Sequence, residues 1–278
     1  MTAADAWTVR RALAQSGLTP LDGQRLLGHA LGRDRAWLAA HATDAIERAD
    51  ADRFLALARR RRDGEPLAYI IGRREFWGLD LAVTPAVLIP RPETETLVEA
   101  ALARLPRGRP LRVLDLGTGS GAVALALAHE RPQASVSATD ASAPALAVAA
   151  HNASRLGIAN VRFLRSDWYT DVPDEGPFDA IVSNPPYVRS ADPHLREGDL
   201  PFEPPSALVA GADGLQALRI IVAGARSRLA RDGWLLVEHG YDQAEAVRAL
   251  FADAGFRAPA SLRDLAGIPR VAAGRAPG

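Results

Sequence analysis

The sequence predicts an α/β protein, in which a doubly wound, mostly parallel sheet follows a small all-helical N-terminal domain and a β-hairpin linker. Two observations lead to this fold class. From Arg112 onward, candidate strands alternate with candidate helices, which implies right-handed crossovers between parallel strands. Before about Arg62, apolar residues instead recur at helical spacing. A chain of 278 residues is long enough for a small domain joined to a larger one.

The helical domain is expected over residues 1–64. Its last helix has Asp50 and Asp52 near its start and ends in four arginines at residues 59–62, so its charges complement the helix dipole. The arginine run is interpreted first as a solvated helix end, with a docking patch for a charged partner as the alternative. Helical spacing is seen in two groups of apolar residues: Leu26, Leu27, Ala30 and Leu31, then Phe54, Leu55, Leu57 and Ala58.

A change of composition marks the linker, which is expected over residues 65–92. Residues 67–71 are rich in β-forming side chains and precede Gly72. The stretch 76–89 alternates loosely and contains turn residues, which predicts a β-hairpin; these residues are Gly78, Asp80 and Pro85. Residues 92–96 then open a helix with acidic residues in its first turn, which should run to about residue 105.

The third region, residues 93–278, is expected to contain the sheet. Its candidate strands span residues 112–116, 135–139, 161–164, 178–183 and 234–238. Its candidate helices span residues 121–129, 143–156, 215–229 and 242–254. Ser142 suits the N-cap of the helix that follows it, and Pro144 is tolerated in the first turn of that helix. Ligands bind beyond the carboxyl ends of the strands in such sheets, so functional residues are sought there.

The composition excludes several classes of chemistry. The chain has no cysteine, which rules out disulfides, thiolate metal sites and cysteine nucleophiles. All 33 residues counted as Lys+Arg are arginine, which rules out a Schiff-base or P-loop lysine. A formal net charge of zero argues against a protein that mainly grips duplex phosphates. Residues 1–7 do not resemble a signal peptide, and no run approaches the roughly 20 apolar residues that span a bilayer, so a cytoplasmic location is expected.

A glycine-rich turn follows the first strand of the sheet. It begins at Asp115 and continues as Leu-Gly117-Thr118-Gly119-Ser-Gly121. The glycines allow a tight turn and a close approach of the backbone to a ligand at the helix N-terminus. Asp140 ends the next strand, about 20 residues on, where an acid can bind both hydroxyls of a ribose. Asp167 follows the third strand, beside Trp168, and is placed to accept a hydrogen bond from an adenine amino group.

The turn is compatible with two cofactors. Gly117, Gly119 and Ala122 also satisfy the relaxed dinucleotide pattern, so an oxidoreductase must be considered. Asp115 favours S-adenosyl-L-methionine, because a carboxylate there would repel a pyrophosphate but attract the ammonium group of an amino-acid cofactor. The expected cofactor-binding residues are Asp115, Gly117, Thr118, Gly119, Gly121, Asp140, Asp167 and Trp168, together with Asn184.

The most specific signal is Asn184-Pro185-Pro186-Tyr187, at the end of the fourth strand. The prolines fix the backbone and cannot donate hydrogen bonds. The Asn184 side-chain oxygen and the Pro185 carbonyl can therefore both act as acceptors, matching the two N–H bonds of a planar –NH₂ group. Tyr187 offers a flat face against which that group could stack. These four are the candidate catalytic residues.

This pair of acceptors addresses a chemical difficulty. An amide nitrogen is a poor nucleophile because its lone pair is delocalised into the carbonyl group. Acceptors on its hydrogens stabilise the positive charge that develops as the lone pair turns toward a methyl carbon. Positioning of the nitrogen in line with the sulfonium methyl group supplies most of the remaining catalysis. The predicted reaction is methyl transfer to an amide-like nitrogen.

The two motifs resemble those of class I methyltransferases that modify exocyclic or amide nitrogens. The fuller pattern resembles the release factor glutamine N5-methyltransferases, the HemK/PrmC family, over nearly the whole chain from about residue 60. One departure is Ala212, where the family usually has glycine. The further matching segments are residues 64–72, Phe76, 87–95, 202–208, 211–215, 237–240, Gln243 and 264–270.

The resemblance implies a Rossmann-like, seven-stranded sheet and a specific substrate, the glutamine of the Gly-Gly-Gln loop in bacterial peptide chain release factors. The helical domain would help dock that protein. Asn184 with Pro185 would orient the glutamine amide, while Gly117, Asp140 and Asp167 would bind the cofactor. Residues 90–95 would border the cofactor pocket; Glu93 and Glu95 either line it or are ordinary first-turn acids.

Three alternatives stay open. A nucleic-acid adenine N6-methyltransferase would use the same acceptor pair but must extrude its base, and the zero net charge argues against it. A dinucleotide-dependent oxidoreductase leaves the Asn184–Tyr187 motif unexplained. An inactive binding module conflicts with the intact acids and glycines. No stable nucleic-acid or membrane partner is expected. Glu238 and His239 resemble a catalytic pair, but packing at a strand end is the favoured interpretation.

Overall fold

The computed structural model describes residues 6–277. The chain forms two compact units, one up to Arg73 together with Arg196–Phe202, the other Arg74–Leu195 together with the part from Glu203 onward. The domain boundaries expected from the sequence stay predictions, since compactness alone does not define a domain. The segment that does not resemble a signal peptide, residues 1–7, lies largely outside the described residues. No helix within residues 6–277 combines the length and apolar character needed to cross a bilayer.

The first unit is helical, as predicted. Thr8, Thr19 and Asp34 cap its first three helices by accepting backbone N–H groups. Leu26 and Leu27 pack with Phe54 in a common core. Its helices are α1 (Val9–Gln15), α2 (Pro20–Leu31), α3 (Arg35–Ala40), α4 (Arg48–Arg62) and α5 (Leu67–Ile71).

The arginine run at the end of α4 is occupied by contacts within its own unit. Arg60 pairs with Glu65 at 2.5 Å, and Arg61 pairs with Asp22 at 3.0 Å. Arg62 Nη1 donates to the Ser16 carbonyl at 3.0 Å. These contacts favour the interpretation as a helix end over a docking patch.

Residues 67–71 form helix α5, so their assignment to the β-hairpin was wrong. The Pro66 carbonyl accepts the N–H groups of Tyr69 and Ile70, both at 3.0 Å, and Gly72 ends the helix with φ 77°. Ile70 packs into the core of the helical unit. Burial of these side chains against helices outweighs their β propensity.

The predicted hairpin is confirmed, but it begins earlier than expected. Its strands are β1 (Arg73–Phe76) and β2 (Leu79–Ala82). Trp77 and Gly78 form the turn with φ of 53° and 70°, and two positive values are typical of a tight hairpin turn. Asp80 lies within β2 and not in a turn, whereas Pro85 lies in a turn as predicted.

The second unit contains the predicted seven-stranded, mostly parallel sheet. Its strand order is β5-β4-β3-β6-β7-β9-β8, in which the first five are parallel and β9 is antiparallel to both neighbours. The last two strands were not among the candidates found by pattern. The strands are β3 (Leu111–Leu116), β4 (Ala134–Asp140), β5 (Val161–Arg165), β6 (Phe178–Ser183), β7 (Leu229–Glu238), β8 (Arg257–Arg263) and β9 (Pro269–Arg275).

The helices of this unit lie close to their predicted positions. Ser142 caps α8 as expected, accepting the Ala145 N–H at 3.2 Å. The helix predicted to reach residue 229 ends at Ala225, because Leu229 begins β7. The helices are α6 (Glu95–Leu102), α7 (Ala122–Glu130), α8 (Ala143–Leu156), α9 (Gln216–Ala225) and α10 (Ala244–Asp253), and 3₁₀ turns span Pro92–Thr94, Pro193–Arg196, Leu200–Phe202 and Pro205–Ala207.

The sheet is covered on both faces, which confirms the doubly wound class. Val113 and Val136 point into one core, which also contains the apolar residues of α6 and α7. Leu114 and Leu235 point into the other, which contains those of α9 and α10. The site lies at the carboxyl ends of the parallel strands.

Candidate active site

The carboxyl ends of the parallel strands meet at one edge of the sheet. Leu116 of β3 is in register with Thr139 of β4 and with Ser183 of β6. Thr139 lies opposite Leu164 of β5, and Ser183 lies opposite Val237 of β7. The residues that follow these strands are therefore brought together, as expected for this class of sheet.

The turn after β3 has left-handed backbone at its glycines, with φ of 71° at Gly117, 55° at Gly119 and 85° at Gly121. A Cβ atom at position 121 would lie 3.0 Å from Leu125 Cδ1 and 3.2 Å from Ala149 Cβ. Gly121 thus allows the turn to pack against α7 and α8. It does not line the cavity described below, and its predicted cofactor contact stays a prediction.

Asp140, at the end of β4, holds the glycine turn in place. Its Oδ2 accepts the Gly119 N–H at 2.9 Å, and its Oδ1 accepts the Ser142 N–H at 2.8 Å. The Thr118 N–H donates to the Thr139 carbonyl at 2.8 Å. Because an ionised carboxylate offers about four lone-pair sites, Asp140 keeps acceptor capacity for the hydroxyls of a ligand.

Asp115 lies at the base of the turn and is only 2% exposed. Burial raises the pKa of its carboxyl to about 7, against hydrogen bonds from the Thr118 side chain and the Ala124 N–H, while the charge of Asp140 adds to the rise. The Thr118 hydroxyl donates to Asp115 Oδ2 at 2.7 Å. A cation brought to this carboxyl would favour its charged form and lower the pKa again.

A cavity of about 210 Å³ opens over these groups. Three carboxylates line it, from Asp115, Asp140 and Asp167, beside the ring of Trp168. Among residues 6–277, no arginine or histidine lines it. The cavity therefore suits a ligand that carries positive charge better than one that carries a pyrophosphate.

Asn184 and Pro186 also line the cavity, whereas Pro185 and Tyr187 do not. Asn184 Nδ2 donates to the Thr94 hydroxyl oxygen at 3.1 Å. Since the nitrogen of the amide is engaged there, its oxygen is the end left for a ligand. The structure thus brings Asn184 beside the predicted cofactor residues.

Tyr187 and Glu238 form a buried pair behind the cavity wall. The Tyr187 hydroxyl donates to Glu238 Oε1 at 3.0 Å. Burial raises the pKa of Glu238 to about 7, against hydrogen bonds from Thr94 and Tyr187. Burial likewise raises the pKa of Tyr187, so its phenol stays protonated and remains a donor. The stacking role predicted for Tyr187 stays a prediction.

His239 has the packing role favoured from the sequence. Its side chain is fully buried, and Nδ1 lies 2.8 Å from the Gly240 carbonyl. Within the described residues, Nε2 has no hydrogen-bond partner. Burial lowers the pKa of this imidazole, which keeps it neutral. It does not line the cavity.

The linker contributes to the site through a contact that sequence reasoning missed. Asn152 of α8 is fully buried; its Nδ2 donates to the Ala82 and Ser120 carbonyls, each at 3.0 Å, and its Oδ1 accepts the Ala82 N–H at 2.7 Å. These bonds tie the hairpin to the glycine turn. A polar residue on the buried face of an otherwise alanine-rich helix was the available signal.

The segment 90–95 borders the cavity through Pro90 and Thr94. Glu95 instead accepts the Trp77 N–H at 2.9 Å, and Glu93 is exposed. Neither acid lines the cavity, which favours the first-turn alternative for both. Thr94 of this segment accepts a hydrogen bond from Asn184, and it was not singled out from the sequence.

Known proteins match both parts of the chain. The family model "PrmC N-terminal domain" matches residues 7–72, and "Methyltransferase small domain" matches residues 94–196. A release factor glutamine methyltransferase of Xylella fastidiosa is 54% identical over 267 residues, covering 96% of this chain and 97% of the relative. The chain belongs to the release factor glutamine methyltransferase family. A relative of the same name from Bordetella pertussis is 55% identical over 262 residues, covering 94% of this chain and 97% of the relative.

The fold of this family member is shared with a solved methyltransferase structure from Pyrococcus furiosus. The TM-score is 0.55 at 19% identity, over 72% of this chain and 90% of the other. At that identity the likeness concerns the fold alone.

Membership of the release factor glutamine methyltransferase family makes S-adenosylmethionine the cofactor and excludes the dinucleotide alternative. The cavity of this family member fits that cofactor, since its carboxylates can face an ammonium group, ribose hydroxyls and an adenine amino group. Which residue binds which group stays a prediction.

Proposed function

We propose that this protein methylates the side-chain amide nitrogen of the glutamine in the Gly-Gly-Gln motif of bacterial peptide chain release factors. The observation that carries the proposal is the similarity over nearly the full length, helical part included, to relatives named release factor glutamine methyltransferase. Asn184 in the wall of a carboxylate-lined cavity supports it, because the oxygen of its amide is left to accept one of the two N–H bonds of a primary amide.

The cofactor would be held by the strand ends. When bound, S-adenosylmethionine supplies an electrophilic methyl group on a positively charged sulfur. Asp115 would attract its ammonium group, Asp140 would accept its ribose hydroxyls, and Asp167 would accept its adenine amino group. The turn from Gly117 to Gly119 allows close backbone approach, and Trp168 forms a wall of the same cavity.

The substrate amide would be oriented by two acceptors fixed before it binds. Asn184 Oδ1 is directed by the bond from Nδ2 to Thr94, and the Pro185 carbonyl by the two prolines. Both would accept the N–H bonds of the amide and stabilise the positive charge that grows on its nitrogen. Pro186 would form the wall beside the planar group, and Tyr187 lies behind that wall, where its hydroxyl donates to Glu238.

The partner would be a protein, met in the cytoplasm, with the helical part helping to dock it. No stable complex with nucleic acid or a membrane is part of the proposal. The formal net charge of zero supports the expectation that no nucleic acid is bound stably.

Transfer of a labelled methyl group from S-adenosylmethionine to an unmethylated release factor tests this function. We expect label on the release factor, and none when its Gly-Gly-Gln glutamine is replaced by alanine. Adenine-containing DNA and RNA serve as parallel acceptors. Label on nucleic acid alone would keep methyl transfer to an –NH₂ group but refute the proposed substrate.

Cofactor affinity should rise with pH because of Asp115. With a pKa of about 7, its carboxyl is largely neutral at pH 6 and charged at pH 8, and only the charged form attracts an ammonium group. Below pH 7 we expect affinity to increase by up to about tenfold per pH unit. Calorimetry from pH 5.5 to 8.5 measures this, and Asp115→Asn should bind weakly with little dependence on pH.

Asp115→Asn should weaken cofactor binding but stabilise the cofactor-free protein at pH 8. The folded pKa of Asp115 is raised above its usual 3.8, so its contribution to stability is present at low pH and is lost as pH rises through about 7. At pH 8, cofactor-free Asp115→Asn should therefore unfold at a higher temperature than the wild type. A variant that lost both affinity and stability would contradict this account of Asp115.

A further inference from the structure

Two hydrogen bonds lie next to each other at the cavity wall, one made by Asn184 and one made by a buried carboxyl group that does not line the cavity. Asn184 Nδ2 donates to Thr94 Oγ1 at 3.1 Å, and the Tyr187 hydroxyl donates to Glu238 Oε1 at 3.0 Å. Thr94 is 3% exposed and Glu238 is 1% exposed. Glu238 does not line the cavity, so it cannot contact a ligand there and can act only through its neighbours.

Which group donates and which accepts in these hydrogen bonds follows from the protons that each group carries. The Thr94 oxygen receives the Asn184 N–H, so its own proton must point elsewhere. Glu238 Oε2 is buried without a hydrogen-bond partner of regular geometry among residues 6–277, and the neighbouring Thr94 hydroxyl is a donor that lowers the pKa of this carboxyl. A buried acceptor without a partner needs such a donor. The Thr94 hydroxyl is the donor available for Oε2, and such a bond would connect Asn184 to Glu238.

We propose that Glu238 is a positioning residue, which fixes the orientation of the Asn184 amide by accepting the hydroxyl protons of Thr94 and Tyr187. An ionised carboxylate can only accept, so both hydroxyls must donate toward it. Thr94 is then left as an acceptor, which holds Asn184 Nδ2 and turns Oδ1 to the ligand side. The inference rests on the proposed function in taking Asn184 Oδ1 as the acceptor for the substrate amide.

Protonation of Glu238 would exchange the donor and acceptor roles in these hydrogen bonds. A neutral carboxylic acid donates one hydrogen bond, and with its proton on Oε2 the Thr94 oxygen becomes the acceptor. Thr94 is then free to donate to Asn184, whose amide turns its –NH₂ group toward the substrate. Two donor groups would face each other, and substrate orientation would be lost.

Other charged groups act on the Glu238 carboxyl and on its neighbours Tyr187 and His239. Arg270 on β9 favours its charged form, and Glu93, in the 3₁₀ turn before α6, opposes it. Arg91 and Arg270 act on Tyr187. His239, next in the chain, is held neutral by burial, with Asp242 also near its ring. Among residues 6–277, none of these side chains has a hydrogen bond with the Thr94 hydroxyl, so Glu238 is the acceptor that the proposal assigns to both hydroxyls.

Kinetics with a release factor as acceptor test the inference. Glu238→Gln keeps the shape but adds a donor, so kcat should fall by about 10- to 100-fold, less than the roughly 10²- to 10³-fold expected when a preorganised group is removed. KM for S-adenosylmethionine should not change. At saturating cofactor, wild-type kcat should rise with pH through about 7, and the variant should lack this rise. Glu245→Gln, an exposed glutamate on α10, is the matched control.

A second pair of variants keeps the test valid if Glu238→Gln folds poorly. Thr94→Val preserves the shape of the side chain without a hydroxyl and should lower kcat as Glu238→Gln does. Thr94→Ser restores the hydroxyl and should restore kcat. Equal kcat in Thr94→Val and Thr94→Ser would overturn the inference, as would a wild-type pH profile in folded Glu238→Gln.

Nuclear magnetic resonance separates this inference from the proposed function. In cofactor-free protein, the side-chain ¹H–¹⁵N signals of Asn184, assigned by their loss in Asn184→Ala, should shift with pH around 7. The shift should persist in Asp115→Asn and vanish in Glu238→Gln. If these signals behave so but no label reaches a release factor, the proposed function fails and the positioning role stands. Asn184 signals that are independent of Glu238 would refute the positioning role.

Discussion

Asn184→Ala should lower kcat for methylation of a release factor by about 10²- to 10³-fold, the range typical for removal of one preorganised group that stabilises developing charge. The physical reason is the loss of Oδ1, the acceptor that the bond from Nδ2 to Thr94 directs toward the substrate. Single-turnover methyl transfer at saturating cofactor measures the effect on the chemical step.

The affinity of Asn184→Ala for S-adenosylmethionine should change little, because Asn184 is assigned chiefly to the substrate amide. Calorimetry of the same preparation provides this control, and its thermal midpoint verifies folding. Turnover close to that of the wild type would refute the proposed mechanism. A large loss of cofactor affinity would instead move Asn184 from substrate orientation to cofactor binding.

Asp140→Ala should weaken the binding of S-adenosylmethionine by roughly 100-fold, which corresponds to about 3 kcal/mol. The carboxylate is assigned the ribose hydroxyls, and it also holds the N–H groups of Gly119 and Ser142 at 2.9 and 2.8 Å. The substitution thus removes acceptors for the ligand and the bonds that keep the glycine turn in its binding shape. Calorimetry measures the loss directly.

Asp167→Ala is the matched control for Asp140→Ala. Asp167 also follows a strand and lines the same cavity, but among the described residues its carboxylate makes no hydrogen bond with the glycine turn. We expect a smaller loss of affinity, of about 1 kcal/mol for one hydrogen bond. Equal losses in the two variants would show that the bonds from Asp140 to the turn contribute nothing to binding.

Much of the fold could be predicted because its strongest patterns are local. Strand β3 is dense in Leu and Val, and Ser142 with Pro144 marks a helix start by known capping chemistry. Strands β8 and β9 lack that pattern, since they are rich in Arg, Ala and Pro. They are strands because β7 supplies a partner for β9, and β9 for β8, which is a tertiary effect.

The candidate site could be predicted only as far as sequence neighbours define it. The motifs at Gly117 and Asn184 were visible because each is contiguous. Thr94 and Glu238 are remote in sequence and meet the motif only when the sheet forms, so Thr94 was given no role and Glu238 only that of packing at a strand end. The burial that sets the pKa of Asp115 and Glu238 is likewise a property of the folded chain.

The position of β9 between β7 and β8 affects how the chain is made. Until residues 269–275 have been synthesised, β7 has one edge with unpaired backbone groups. The five parallel strands, β3 to β7, have all been synthesised by then. An open edge of this kind pairs readily with other chains. Since synthesis runs from the N-terminus, the nascent protein is most exposed to aggregation just before β9 emerges from the ribosome and takes its place inside the sheet.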